Sequence, residues 1–290
     1  MISVLFAVLT SISNGSANVL QRRAAATVPQ SNSMHLSLIG HLLRQPVWLA
    51  GIGLVIVAAL CQAVALATGP IAVVQPIFVI ELPMTLLIAS YVFRSRLPRR
   101  AWYGVAAVTF GLAVGLGSAA PTGGTETVPG LSWIPALIVT GIFEAVVVAV
   151  ALRTRKNARA ALLGLAAACA YALTAALLKD AVARLGGGSG IAVFFASWQL
   201  YATAAAGIGA LFLLQNALQA GSLVASQPML TLGDALISIT YGVTLFGESI
   251  RTGWWLLPEL IALALITAGC FELARSPLAA GISPPKPRTR

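Results

Sequence analysis

The chain has 290 residues, 58% of them hydrophobic and only 9% charged, with a formal net charge of +10. A soluble domain carries about 25% charged residues, so this composition excludes a soluble enzyme or binding module. The surplus of base would suggest nucleic acid on a soluble chain. Here the Lys and Arg residues fall between apolar runs, which excludes nucleic acid as a partner and marks loops beside a bilayer.

A spanning helix needs about 20 apolar residues. Nine stretches qualify: 2–20, 47–67, 71–93, 101–118, 131–152, 160–178, 191–215, 222–246 and 253–273. They predict an all-α fold, a polytopic membrane bundle of nine transmembrane helices. The first stretch has no basic residues before it and Arg22-Arg23 after it. That is the reverse of a signal peptide, so it reads as a retained span. Within it Ser11, Asn14 and Asn18 share one helical face, as a cavity wall or as interhelical glue.

Residues 31–46 are too short and polar to span, and read as an amphipathic helix on the membrane surface. Their His35 and His41 are solvated face residues. The third span carries Gln75, Pro76, Glu81 and Pro83, and the fifth carries Glu144. The eighth carries Gln227, Pro228 and Asp234, and the ninth carries Glu259. Glu248 and Glu272 fall near the surfaces, where charge is cheap, and are set aside as core sites. Span 4 has a G-x-x-x-G pattern at Gly111 and Gly115, a packing surface. Trp48, Trp102, Trp133, Trp254 and Trp255 open spans, as an aromatic belt would. Cys61, Cys169 and Cys270 are odd in number and form no C-x-x-C pair, so they read as small buried apolar residues. The Pro- and Arg-rich stretch 276–290 reads as a disordered basic tail.

Fifteen of the 18 basic residues lie on one side if nine spans follow an external N-terminus. Lys179, Arg184 and Arg251 are left on the other side. The positive-inside rule then predicts a multi-pass protein of the cell membrane with its C-terminus in the cytoplasm.

The chain also repeats at an offset of 152 residues. Gly69, Gln75-Pro76, Arg99, Trp102 and Gly117 align with Gly221, Gln227-Pro228, Arg251, Trp254 and Gly269. Residues 1–118 form a first repeat, 119–159 a linking fifth span with its basic loop, and 160–275 a second repeat. Equivalent helices are an odd number of spans apart, so the 4 + 1 + 4 plan is an inverted repeat, as in many secondary transporters.

Buried acids are the strongest functional signal. An ionised side chain at mid-bilayer costs roughly 2.5–3.5 kcal/mol on insertion scales, so such residues usually serve a path for ions, protons or substrate. Proline removes a helical hydrogen bond and frees the carbonyl four residues earlier. Pro76, Pro83 and Pro228 would therefore break their helices beside Glu81 and Asp234. Those acids, with Gln75, Gln227, Glu144, Asn14 and Asn18, are the predicted substrate- or ion-binding residues. A kink made only for packing is the competing reading of the prolines. With two histidines and no Asp-rich or P-loop motif, the sequence predicts neither an enzyme nor an ATP-driven pump. It predicts no cofactor beyond proton or cation coupling, and it identifies no metal site. A homodimer is compatible with the plan. An integral-membrane enzyme and a non-transporting membrane partner are the readings from other classes; a sealed core would mark the partner.

Several motifs resemble the drug/metabolite transporter superfamily of EamA-like proteins. They are Gly15-Ser16 with Asn18, the run Gly-Pro-Ile-Ala-Val-Val-Gln-Pro at 69–76, and Gln-Ala-Gly-Ser-Leu at 219–223. Asp234, where that family often has Glu, and Phe246-Gly247-Glu248 complete the set. The resemblance implies a secondary transporter of a small metabolite or drug-like solute. Most EamA-like proteins have ten spans. Nine spans with an external N-terminus, and Gly-Ser-x-x-x-Leu-x-Arg-Arg at 15–23, look more like the NIPA magnesium-transporter branch. That branch tends to carry an acid in the second span, where this chain has Ala59 and Gln62, and to be neutral at Glu81 and Asp234. A divalent-cation permease is therefore the alternative.

Overall fold

The computed structural model describes residues 1–25, 45–186 and 190–276. The interfacial segment with His35 and His41 and the basic tail lie almost wholly outside these. The chain is a helical bundle. Its elements are α1 (Ile2–Ala25), α2 (Pro46–Thr68), α3 (Ile71–Ile77), α4 (Glu81–Val92) and α5 (Arg99–Ala119). Then come α6 (Gly130–Arg153), α7 (Lys156–Gly186), α8 (Gly190–Ala196), α9 (Trp198–Ala220), α10 (Leu223–Thr244) and α11 (Leu256–Ala274). A 3₁₀ turn, Phe78–Ile80, joins α3 to α4 without a loop.

Eight stretches are long and apolar enough to cross a membrane, with α3 and α4 counting as one. Helix α10, at 22 residues, is as long but is not among them. Prolines set several starts. Pro46 opens α2, and Pro70, Pro98 and Pro129 immediately precede α3, α5 and α6, where a fixed φ favours entry and no intrahelical bond is lost.

Helix ends fall into two groups. Gly69, at the end of α2, abuts Ser3 so closely that an added Cβ would overlap the serine side chain. The same end holds the two-stranded ribbon that pairs Thr122 with Ser249 (β1, Thr122–Gly123; β2, Glu248–Ser249). Arg251 N donates to Ala119 O there at 3.0 Å. At the opposite end Gly51 meets Gln21, and Gly221 packs on Lys156, Asn157 and Ala160. Each long helix thus runs from one end of the bundle to the other.

The glycine pattern of α5 is a packing seam. A Cβ on Gly104 would lie 3.1 Å from Gly269 O, and one on Gly111 would lie 3.0 Å from Ala262 O. Positions rise along α5 as they fall along α11, so the two helices are antiparallel. Helix α1 packs on α2 and on α3–α4, while α7 packs on α9 and α10.

Some local expectations are corrected. The seventh apolar stretch is not one helix over 191–215. Ser197 is extended (φ −73, ψ 128) and separates α8 from a long helix, Trp198–Ala220. Pro83 does not break its helix, because it sits in the first turn of α4, where its missing N–H has no intrahelical role. Pro228 lies inside an unbroken α10, so only Pro76 precedes an interruption. Trp133 is not a belt residue. It is fully buried and stacks edge-on to Trp198 at 5.9 Å.

Candidate functional site

The 3₁₀ turn after Pro76 delivers Glu81 as the first residue of α4, opposite the polar face of α1. Asn14 Nδ2 donates to Glu81 Oε2 at 3.3 Å, and Asn18 Nδ2 donates to Oε1 at 3.1 Å. Both carboxylate oxygens are thereby held by neutral amide donors. Ser11, on the same face, spans to Ile77 O at 3.5 Å, beside the turn itself. The close approach needed here is made at Gly15, where a Cβ would lie 3.1 Å from Thr85 N.

The exposure of Asn18 has a direction. Helix α1 turns Leu5, Leu9 and Ile12 outward, and all three are exposed at spacings of four and three. Ser11, Asn14 and Asn18 lie nearly half a turn away from them. Ser11 is buried, Asn14 half-buried and Asn18 exposed, so the stripe becomes accessible towards the Gln21 end.

Asp234 comes from α10. Gln227, Thr231, Asp234, Ser238 and Tyr241 form a polar stripe on the face turned away from exposed Leu236, Thr240 and Val243. Asp234 is half-buried; its Oδ1 is shut off from solvent and has no hydrogen-bond partner. The fully buried Ser238 hydroxyl, one turn on, is the polar group beside this carboxyl, but the two are not placed for a well-formed hydrogen bond. Glu81 and Asp234 lie within electrostatic reach of each other, and the phenol of Tyr171 on α7 feels both. Among the described residues the ion pairs are Lys179–Glu248, Arg184–Asp180 and Arg275–Glu272, so neither central acid has a basic partner.

The other predicted residues do not join this pair. Gln75 is buried with an unpartnered Nε2, yet it sits near the Gly69 end, because α3 begins there. Gln227 sits near the opposite end, where α10 begins. At 1.5 Å per residue the two amides stand about 20 Å apart along the bundle, one on each side of the carboxylate level. They do not form one pocket, as the proline argument had implied. Glu144 lies on the α6 stripe of Trp133, Thr140, Val147 and Ala151, beside Cys169 and Tyr241. Cys169 and Tyr171 project from roughly opposite faces of α7, which separates Glu144 from the central pair. Glu259 lines a crevice elsewhere, and Cys169 and Cys270 are buried free thiols. Among the described residues no three His, Cys, Asp or Glu side chains cluster for a metal.

The sequence reading missed a second polar centre, at the Gly69 end. Glu248, set aside as a surface residue, is buried. Its Oε1 accepts from Lys179 Nζ at 2.8 Å and from Ile71 N at 2.7 Å, and its Oε2 accepts from Ala72 N at 2.9 Å. The carboxylate therefore caps the start of α3 by taking the N–H groups of Ile71 and Ala72, which have no intrahelical acceptor and carry the positive helix end. Lys179 also donates to Gly69 O at 3.0 Å and stands 4.8 Å over the Phe246 ring. Next to it Asp180 accepts from Trp133 Nε1 at 2.8 Å, Gln199 Nε2 at 2.9 Å and Val128 N at 3.2 Å. The available signal was Lys179-Asp180 itself, a charged pair embedded in an otherwise apolar helical run.

No protein-family profile matches the chain, and no solved structure matches it. It is similar to an uncharacterized protein of Corynebacterium glutamicum, 28% identical over 279 residues that cover 95% of this chain and 96% of the relative.

Proposed function

We propose that the chain is a secondary transporter, moving a small metabolite or drug-like solute by alternating access and exchanging protons through Glu81 and Asp234. The observation that carries this reading is the central pair: two carboxylates on different halves of the chain, in mutual electrostatic reach, with no basic partner. Buried acids in that state hold protons or meet a cation. In this reading the exposed amide of Asn18, bonded to Glu81, marks the way from the pair to solvent.

In this reading α10 also spans the membrane, as the eighth of nine spans in chain order. The halves are inverted repeats, and one matched contact supports that. Gly69 packs on the start of α1 as Gly221, its equivalent at the 152-residue offset, packs on the start of α7. The Gly69 end is the external face, closed by the Lys179–Glu248 pair and the two-stranded ribbon. The basic loops then face the cytoplasm of a cell-membrane protein. The EamA-like motifs agree with this plan.

Proteoliposomes containing a pH-sensitive dye and challenged with a panel of small metabolites test the proposal. A solute that moves protons with the wild type, but not with Glu81→Gln or Asp234→Asn, supports it. Unchanged solute flux with the same pH dependence in both variants defeats it. Magnesium entry without proton movement would replace it with the divalent-cation reading.

A further inference from the structure

A second site lies on the far side of α10. An apolar crevice of about 220 Å³ opens between α5, α10 and α11, with the α3 turn behind it. Leu112, Leu116, Ile239 and Leu263 form much of its wall, and its single ionisable lining residue is Glu259. The mouth is lateral. Leu236, Leu256 and Leu260 line it and are 47%, 48% and 61% exposed, on flanks that face the acyl chains in a membrane-spanning bundle.

Glu259 is half-buried at the edge of this wall. Its Oε1 is buried without a hydrogen-bond partner, and it forms no ion pair among the described residues. Arg251, next to the lining residue Ile250, stacks on the Trp255 ring at 5.0 Å and forms no ion pair with the carboxylate. The crevice is also distinct from the Asp234 stripe. Leu232, Ala235, Leu236 and Ile239 face it from α10, whereas Asp234, Ser238 and Tyr241 project from roughly the opposite side.

The chemistry of the lining defines the ligand. A dry apolar cavity of about 150 Å³ holds a benzene ring, so this crevice has room for a short alkyl chain. A carboxylate in such surroundings gains most from a cation that brings its own apolar body, because a charge-assisted hydrogen bond then forms out of water. A neutral chain leaves the acid unmatched, and an anionic one repels it. We infer that the crevice is a lateral binding site for a single-chain aliphatic ammonium compound, its chain between α5, α10 and α11 and its ammonium group on Glu259.

Octylammonium is the probe. Its binding to the full chain in nanodiscs of zwitterionic lipid is read by titration calorimetry against empty discs. One saturable site is expected, weakened at least tenfold by Glu259→Gln and unchanged by Glu81→Gln and Asp234→Asn. Octanol, with the same chain and no charge, should bind at least tenfold more weakly. Leu260→Trp, at the exposed mouth, should also weaken octylammonium and guards against a folding artefact at Glu259. Binding to Glu259→Gln within tenfold of wild type overturns the assignment. So does octanol binding within tenfold of octylammonium, or loss of the site on Glu81→Gln rather than Glu259→Gln.

Discussion

Lys179 Nζ and Glu248 Oε1 stand 2.8 Å apart, with side chains 7% and 0% exposed, although 69 residues separate them in the chain. The contact ties the end of α7 to the turn after α10. Through Ile71 N and Ala72 N it also ties both to the start of α3. Three elements far apart in sequence therefore depend on one carboxylate.

Breaking a buried ion pair from one side leaves a charge without its partner, at about 3–5 kcal/mol, whereas removing both charges is often close to neutral. Lys179→Met and Glu248→Gln should each lower unfolding stability in detergent by about that amount. The double variant should be more stable than the worse single. Additive losses, read from chemical unfolding of all four proteins, would contradict the pairing.

Why was this centre hidden while the central pair was legible? The stripe Ser11, Asn14, Asn18 is a local pattern of period 3.6, and a polar residue inside an apolar window announces itself. Asn14 and Asn18 do face Glu81, and Asp234 lies within its reach. Glu248 follows Phe246-Gly247 in a turn, and a turn acid is normally solvated. Nothing local says that this turn folds back onto α3. Gly247 adopts φ +64 to make that reversal, and only the tertiary partners show it. Trp133 misled for a related reason. Its position at a helix start fits a membrane belt, but its indole N–H is consumed by Asp180, 47 residues on. The seventh span shifted because 191–196 is as apolar as the helix that follows, and hydropathy alone does not register the extended Ser197.

Asn18 offers a test of the inner opening. Cysteine reactivity needs the thiolate and hence water. In a background lacking Cys61, Cys169 and Cys270, Asn18→Cys should be labelled by a charged, water-soluble thiol reagent. Ile12→Cys, exposed on the lipid face, should stay unlabelled. Equal labelling of both, or protection of Asn18→Cys, would contradict an internal polar space at this depth.

Asp180 is held by neutral donors as well as by Arg184, whose Nη2 lies 3.3 Å away. Removing one donor from a buried charged acceptor costs about 1–3 kcal/mol or more. Trp133→Phe keeps the ring contact with Trp198 and deletes only the 2.8 Å hydrogen bond. It should destabilise the protein by about that amount, and Gln199→Leu should do likewise through its 2.9 Å bond. Chemical unfolding reads both. A loss below about 0.5 kcal/mol in each variant would mean that Arg184 alone suffices.

The seam between α5 and α11 gives the sharpest contrast between glycines. A Cβ on Gly269 would sit 2.8 Å from Gly104 O and 2.7 Å from Val108 Cγ2, whereas one on Gly141 would meet nothing within 4 Å. Helical Gly→Ala normally stabilises by roughly 0.5–1 kcal/mol through reduced chain entropy. Overpacking a rigid seam costs about 1–3 kcal/mol, and here one blocking atom is backbone, which no rotamer change can move aside. Gly141→Ala should therefore be neutral to stabilising and Gly269→Ala destabilising. Because α5 and α11 also frame the lateral crevice, Gly269→Ala should weaken octylammonium binding at Glu259 while Gly141→Ala leaves it intact. Unfolding curves and the same titration decide this, and equal behaviour of the two alanine variants would show that the helices are not held in backbone contact.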